Sequence, residues 1–72
     1  MEPNVTVKFQ QILQGDLKYT SSNLGLNMLI TKMQKRVAED PDSMDDCITE
    51  LTEFTTRFPI IAAIEYPKIL AL

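Results

Sequence analysis

The chain has 72 residues, 44% of them hydrophobic and 24% charged, with seven Lys and Arg against ten Asp and Glu. A net charge of -3 disfavours a general electrostatic attraction to nucleic acid or anionic lipid. There is no histidine, the commonest acid–base catalyst, and the single cysteine cannot form an internal disulfide. We therefore expect one small cytoplasmic domain over residues 1–72, without catalytic residues, cofactor or metal.

The first segment, residues 5–14, is compatible with either a helix or a strand. Its alternating β-branched start is typical of a strand, but no other part of the chain alternates in a way that would supply a partner strand. The larger apolar residues instead follow one helical face: Val5, Phe9, Ile12 and Leu13. We predict a helix with Asn4 as its N-cap and Gly15 as a left-handed stop. A loop should follow over residues 16–23.

Two further segments predict a helical hairpin. Residues 24–39 carry one apolar stripe, formed by Leu26, Leu29, Ile30, Met33 and Val37, which indicates a helix that ends before Pro41. Residues 44–57 carry a second apolar stripe with acids opposite, and Ser43 with Asp46 resembles a capping box. The two helices should form an αα-hairpin around residues 39–43. The predicted fold is all-α, a small irregular bundle of three to four helices.

The C-terminal segment, residues 59–72, is the most apolar part of the chain, but Glu65 and Lys68 interrupt it. It is shorter than the roughly 20 apolar residues that a membrane-spanning helix needs, and no signal peptide is predicted. Ile60 to Ile64 should form a short helical turn, which Pro67 would not continue comfortably because it lacks an amide hydrogen.

Basic residues predominate in the first half of the chain and acidic residues in the second. Residues 39–53 contain acids but no Lys or Arg. These acids could bind a basic partner. The simpler interpretation is internal pairing across the hairpin, which involves Lys32, Lys35 and Arg36 on one helix and Asp46, Glu50 and Glu53 on the other.

The sequence contains no complete catalytic or metal-binding motif. The acids from Asp40 onward fail the calcium-loop pattern, because a Leu stands where the bidentate Glu is required. Cys47 lies on an apolar helical face without a nearby base and is interpreted as a buried structural residue. Ser21 and Ser22 have only Lys18 as a nearby candidate base.

These observations predict a non-enzymatic protein–protein interaction module, a small regulatory or adaptor subunit that docks through an apolar helical surface and the C-terminal segment. A chain this short barely offsets the entropy of folding, so burial against another protein or against itself would help, and we expect a homo-oligomer. The expected contact residues are Ile60, Ile61, Ile64, Tyr66, Ile69, Leu70 and Leu72, with Leu24 and Met28 as a secondary patch. Tyr66 would be the anchor, since aromatic residues concentrate binding energy.

Two alternatives stay open. Lys32, Lys35 and Arg36 share one flank of a helix, as in a small nucleic-acid-binding regulator, although the next helix is acidic. The chain could also be a purely structural subunit of a homo-oligomer.

Overall fold

The computed structural model of the chain describes residues 3–72. They form four α-helices, and a short 3-10 helix over Pro41–Ser43 links the second to the third. The α-helices are α1 (Pro3–Leu13), α2 (Leu24–Glu39), α3 (Met44–Arg57) and α4 (Pro59–Leu70). Residues 3–72 contain no strand, so the predicted all-α bundle is confirmed.

Helix α1 confirms the helical interpretation of the first segment. It begins at Pro3, so Asn4 lies inside its first turn and the prediction of Asn4 as the N-cap is wrong. Gly15 ends the segment with φ of +87°, a left-handed backbone conformation that is sterically unfavourable for residues with a Cβ atom. The predicted loop over residues 16–23 is also found.

The hairpin of α2 and α3 has the predicted bounds. Helix α2 begins at the N-cap Asn23, whose side chain accepts a hydrogen bond from the Leu26 amide at 2.9 Å. Asp40 is extended and ends α2 before Pro41. The expected Ser43 cap is absent, because Ser43 itself has a helical backbone and its hydroxyl donates to the Asp40 carbonyl at 2.7 Å.

The hydrophobic core lies between all four helices. Helices α1 and α3 each contact the other three, whereas α2 and α4, both fully described, have no Cα atoms within 8 Å of each other. The buried apolar residues that form the core are Val5, Phe9, Ile12, Leu13, Leu26, Ile30, Met33, Val37, Cys47, Leu51 and Ile69. Helix α4 supplies only the last of these, so it is the helix least covered by the core.

Helix α4 differs from the expected short turn, because it continues through Pro67 to Leu70. Pro59 occupies the first turn, where a missing amide hydrogen costs nothing. Pro67 lies in the last turn, and both Pro67 and Ala63, whose carbonyl it would otherwise bond, are exposed residues. Water is available there to replace the missing bond, so the helix tolerates the proline.

Candidate docking face on the fourth helix

The outward side of α4 is apolar. Every exposed residue from Pro59 to Leu72 is apolar except Lys68. Ile60 and Ile64 are the most prominent, with 77% and 54% of their surfaces exposed. They lie one turn apart on a single side of the helix. We call this surface the α4 face, and it comprises Ile60, Ala63, Ile64, Pro67, Leu70, Ala71 and Leu72.

The α4 face contains only part of the residues predicted for docking. Ile60, Ile64, Leu70 and Leu72 are exposed as expected. Ile69 is fully buried in the core, so its prediction as a surface contact is wrong. The reason is its position, since Ile69 shares an inward line with Ala62 and Glu65 at spacings of three and four residues.

Two further predicted contacts, Ile61 and Tyr66, are half-buried and pack against the core. The Tyr66 hydroxyl donates a hydrogen bond to Thr55 Oγ1 at 2.7 Å, and Thr55 is itself buried. Tyr66 therefore joins α4 to α3 within the chain, which leaves less of its ring available as an anchor for a partner.

Leu24 and Met28 form a separate apolar patch on α2, with exposed fractions of 72% and 63%. Neither α1 nor the C-terminal segment covers this patch, since both side chains stay exposed. The patch belongs to the helix that does not approach α4. The structure therefore presents two apolar surfaces, of which the α4 face is the larger.

Glu65 is the acidic residue that interrupts the apolar segment, and it points into the molecule with 1% of its surface exposed. Its Oε1 accepts hydrogen bonds from the Tyr19 hydroxyl at 2.9 Å, from the Ser22 amide at 3.1 Å, and from the Ser21 hydroxyl. Its Oε2 accepts from the Ser22 hydroxyl at 3.2 Å and lies 3.4 Å from Lys68 Nζ. This Glu65 cluster attaches the loop before α2 to α4.

The Glu65 cluster shifts the pKa of two of its members. Burial alone would raise the pKa of Glu65, but hydrogen bonds from Ser21 and Tyr19 and the charge of Lys68 outweigh it and lower that pKa to about 2. Burial, together with the hydrogen bond to Glu65 and its negative charge, raises the pKa of Tyr19 well above its ordinary value. Glu65 is therefore a carboxylate, and Tyr19 a neutral donor, at neutral pH.

Sequence reasoning missed the Glu65 cluster. The available signal was that Glu65 is the sole acid after Glu53 and stands in line with Ala62 and Ile69. Its hydrogen-bond donors Tyr19, Ser21 and Ser22 lie 43 to 46 residues away in sequence, and no local pattern connects them to it.

The internal pairing of charges across the hairpin is found in part. Arg36 lies 3.7 Å from both Asp46 and Glu50. Across the described residues neither Lys32 nor Lys35 forms an ion pair, and both are exposed. Cys47 is buried as predicted.

Within residues 3–72 no group of three or more acidic or cysteine side chains is placed to hold a metal ion. The concavities found there are shallow surface depressions. One of them, of about 430 Å³, lies on α3 between Thr52, Glu53, Thr56 and Arg57, and none of the predicted contact residues lines it.

No family model, curated protein or solved structure matches the chain. None of the described helices combines the length and the apolar character needed to cross a lipid bilayer.

Proposed function

We propose that this protein is a non-enzymatic interaction module that docks on another protein surface through the α4 face. The observation that carries the proposal is the inverted polarity of α4. Its one acid, Glu65, is buried, while Ile60 and Ile64 are among its most exposed residues. A surface helix normally has the opposite arrangement.

The energetic argument follows from the exposed side chains. Fully burying an isoleucine stabilises by about 1.5–3 kcal/mol, so covering the exposed parts of Ile60 and Ile64 would contribute about 3 kcal/mol together. Leu70 and Leu72 add to this, with exposed fractions of 36% and 39%. A single exposed hydrophobe needs no explanation, but a contiguous group on one helix is typical of an interaction surface.

The chemistry of the chain supports binding rather than catalysis. The absence of histidine leaves carboxylates, lysines and tyrosines as candidate bases. The two whose pKa values are shifted, Tyr19 and Glu65, are hydrogen-bonded to each other, and Glu65 also holds the loop before α2. Cys47 is buried next to Ser43, with 3.8 Å between Sγ and the hydroxyl oxygen, and substrate has no access to it.

Nucleic-acid binding is the weaker alternative. Of the three basic residues on α2, Arg36 is shared between Asp46 and Glu50. The acids of α3 therefore lie directly beside the basic flank, where they would repel a phosphate backbone.

Photo-crosslinking in cells that express the chain tests the proposal. A photoreactive benzoyl-phenylalanine at Ile64 should form protein adducts, whereas the same residue at Thr49, an exposed position on α3, should form few. Equal adduct yields from both positions, or none from Ile64, would contradict docking through the α4 face.

A further inference from the structure

We infer that the partner at the α4 face is a second copy of this chain, with its α4 antiparallel to the first; this inference rests on the proposed function. Ile60, Ile64, Pro67 and Ala71 follow one another at spacings of four, three and four residues. At 100° per residue they lie within an arc of about 60° along one line. This spacing is typical of the residues along which two helices pack against each other, and we call these four residues the seam. Ala71 belongs to the seam because its backbone is still helical, with φ of -83° and ψ of -4°.

The sizes of the seam residues select the antiparallel arrangement. The first two are isoleucines and the last two are the smaller Pro67 and Ala71. In an antiparallel pair each layer joins one early and one late position, so Ile60 lies opposite Ala71 of the second copy and Ile64 lies opposite its Pro67. Every layer then combines a large with a small side chain. A parallel pair would place isoleucine against isoleucine and leave a gap at the other end.

The distribution of charge permits two copies to meet at this surface. A two-fold interface brings each residue near its own equivalent, so a charged seam would repel itself. The seam has no charged residue, and Glu65, the sole acid after Glu53, is buried and lies 3.4 Å from Lys68. The acids of residues 39–53 lie on α2, on α3 or in the connection between them, and none belongs to α4.

The size of the contact sets the expected affinity. The described residues expose 4591 Å², about the surface expected for a compact monomer of this mass. One short helix, even with Leu70 and Leu72 at its margin, covers less than the roughly 800 Å² per partner of a standard interface. We therefore expect a weak dimer that dissociates in roughly the micromolar to millimolar range.

Sedimentation equilibrium of the full chain, over about 1 µM to 1 mM, tests the inference. The apparent mass should rise from 8.2 kDa toward twice that value. Ile60→Glu and Ala71→Lys should each weaken association at least about tenfold, because each places an unpaired charge in the contact. Leu24→Glu adds a carboxylate, as Ile60→Glu does, but on α2 and away from the seam. It should leave association unchanged. Circular dichroism checks that each variant retains its helicity.

The double variant I60E/A71K tests the register. In the antiparallel pair each new carboxylate faces a new ammonium of the other copy, twice in the dimer, so association should recover at least about tenfold over either single variant. Dimerisation without this recovery would overturn the antiparallel arrangement.

A chain that stays monomeric up to 1 mM would overturn self-association. If Ile64 still formed adducts with a different protein, the proposed function would survive that result. Binding to phosphatidylcholine vesicles by a monomeric chain would assign the α4 face to lipid and overturn both proposals.

Discussion

Replacing Glu65 by Gln tests how the loop before α2 is held against α4. Glutamine keeps the size of the side chain and one acceptor oxygen, but it removes the charge that strengthens the bonds from Tyr19, Ser21 and Ser22. Hydrogen bonds to a charged group contribute about 1.5–3 kcal/mol each. Tyr19 and Ser22 can regain water, so we expect a net loss of about 2–3 kcal/mol at pH 7.

The pH dependence gives a second magnitude for the same set of interactions. The pKa of Glu65 falls from an ordinary 4.5 to about 2 in the folded chain. A lowered pKa means that the contribution to stability is fully present above the unfolded value and is lost as the pH falls from about 4.5 to about 2. The gap between the two pKa values corresponds to about 3 kcal/mol. For a chain of this length the whole free energy of unfolding is roughly 4–11 kcal/mol, so the effect is large.

Urea denaturation followed by circular dichroism, at one fixed chain concentration and at several pH values, measures both effects. At pH 7 the midpoint of Glu65→Gln should lie roughly 2–3 M below that of the wild type, for an m value near 1 kcal/mol/M. The difference should shrink toward zero as the pH approaches 2. Glu53→Gln, which removes an exposed carboxylate, should change stability at pH 7 by less than about 0.5 kcal/mol. If the curves of wild type and Glu65→Gln ran parallel from pH 5 to pH 2, the assignment of Glu65 as the buried carboxylate would be refuted.

Three further outcomes follow from the same structure. Burial and Glu65 raise the pKa of Tyr19 above its ordinary value of 10.0, so the wild-type chain should lose stability as the pH rises above 10. Tyr19→Phe should lose less stability over the same range, and thermal melts at pH 9 and pH 11 compare the two proteins. Ile69→Ala should cost about 2–5 kcal/mol, because it leaves a cavity in the core, whereas Ile60→Ala on the same helix, studied in dilute solution, should cost less than about 0.5 kcal/mol. Equal losses would show that α4 is rotated relative to this structure. Gly15→Ala should lower the free energy of unfolding by about 1 kcal/mol in urea denaturation. The cost comes from the left-handed φ of +87°, since no atom lies within 4 Å of the added Cβ. An unchanged midpoint would argue against the left-handed conformation.

The sequence predicts the helices well where the apolar spacing and the stop signals agree. Leu26, Ile30, Met33 and Val37 form one stripe and are all buried, and Pro41 sets the end of α2. The hairpin therefore has the predicted bounds. The capping predictions at Asn4 and Ser43 are wrong, since Asn4 lies inside α1 and Ser43 has a helical backbone. Several neighbouring residues are candidate caps, and the sequence does not determine at which of them a helix begins.

The candidate site was predicted in composition but not in orientation. Sequence alone identified residues 59–72 as an apolar segment, and it placed Ile60, Ile64, Leu70 and Leu72 among the contact residues. It could not decide which side of α4 faces inward, because α4 carries apolar residues on all sides and no polar stripe marks the side that faces solvent. For the same reason the burial of Ile69 was not foreseen.

The local pattern of apolar residues, prolines and glycines determined that this chain is helical, and it determined where α2 and α3 begin and end. The tertiary structure alone decided the rotation of α4 and its continuation through Pro67. The physical reason for the rotation is that a buried carboxylate must find hydrogen-bond donors. Donors near Glu65 come from Tyr19, Ser21 and Ser22, which are distant in sequence and meet α4 only after the bundle has formed. With Glu65 turned inward to reach them, the isoleucines on the opposite side of α4 are left facing outward.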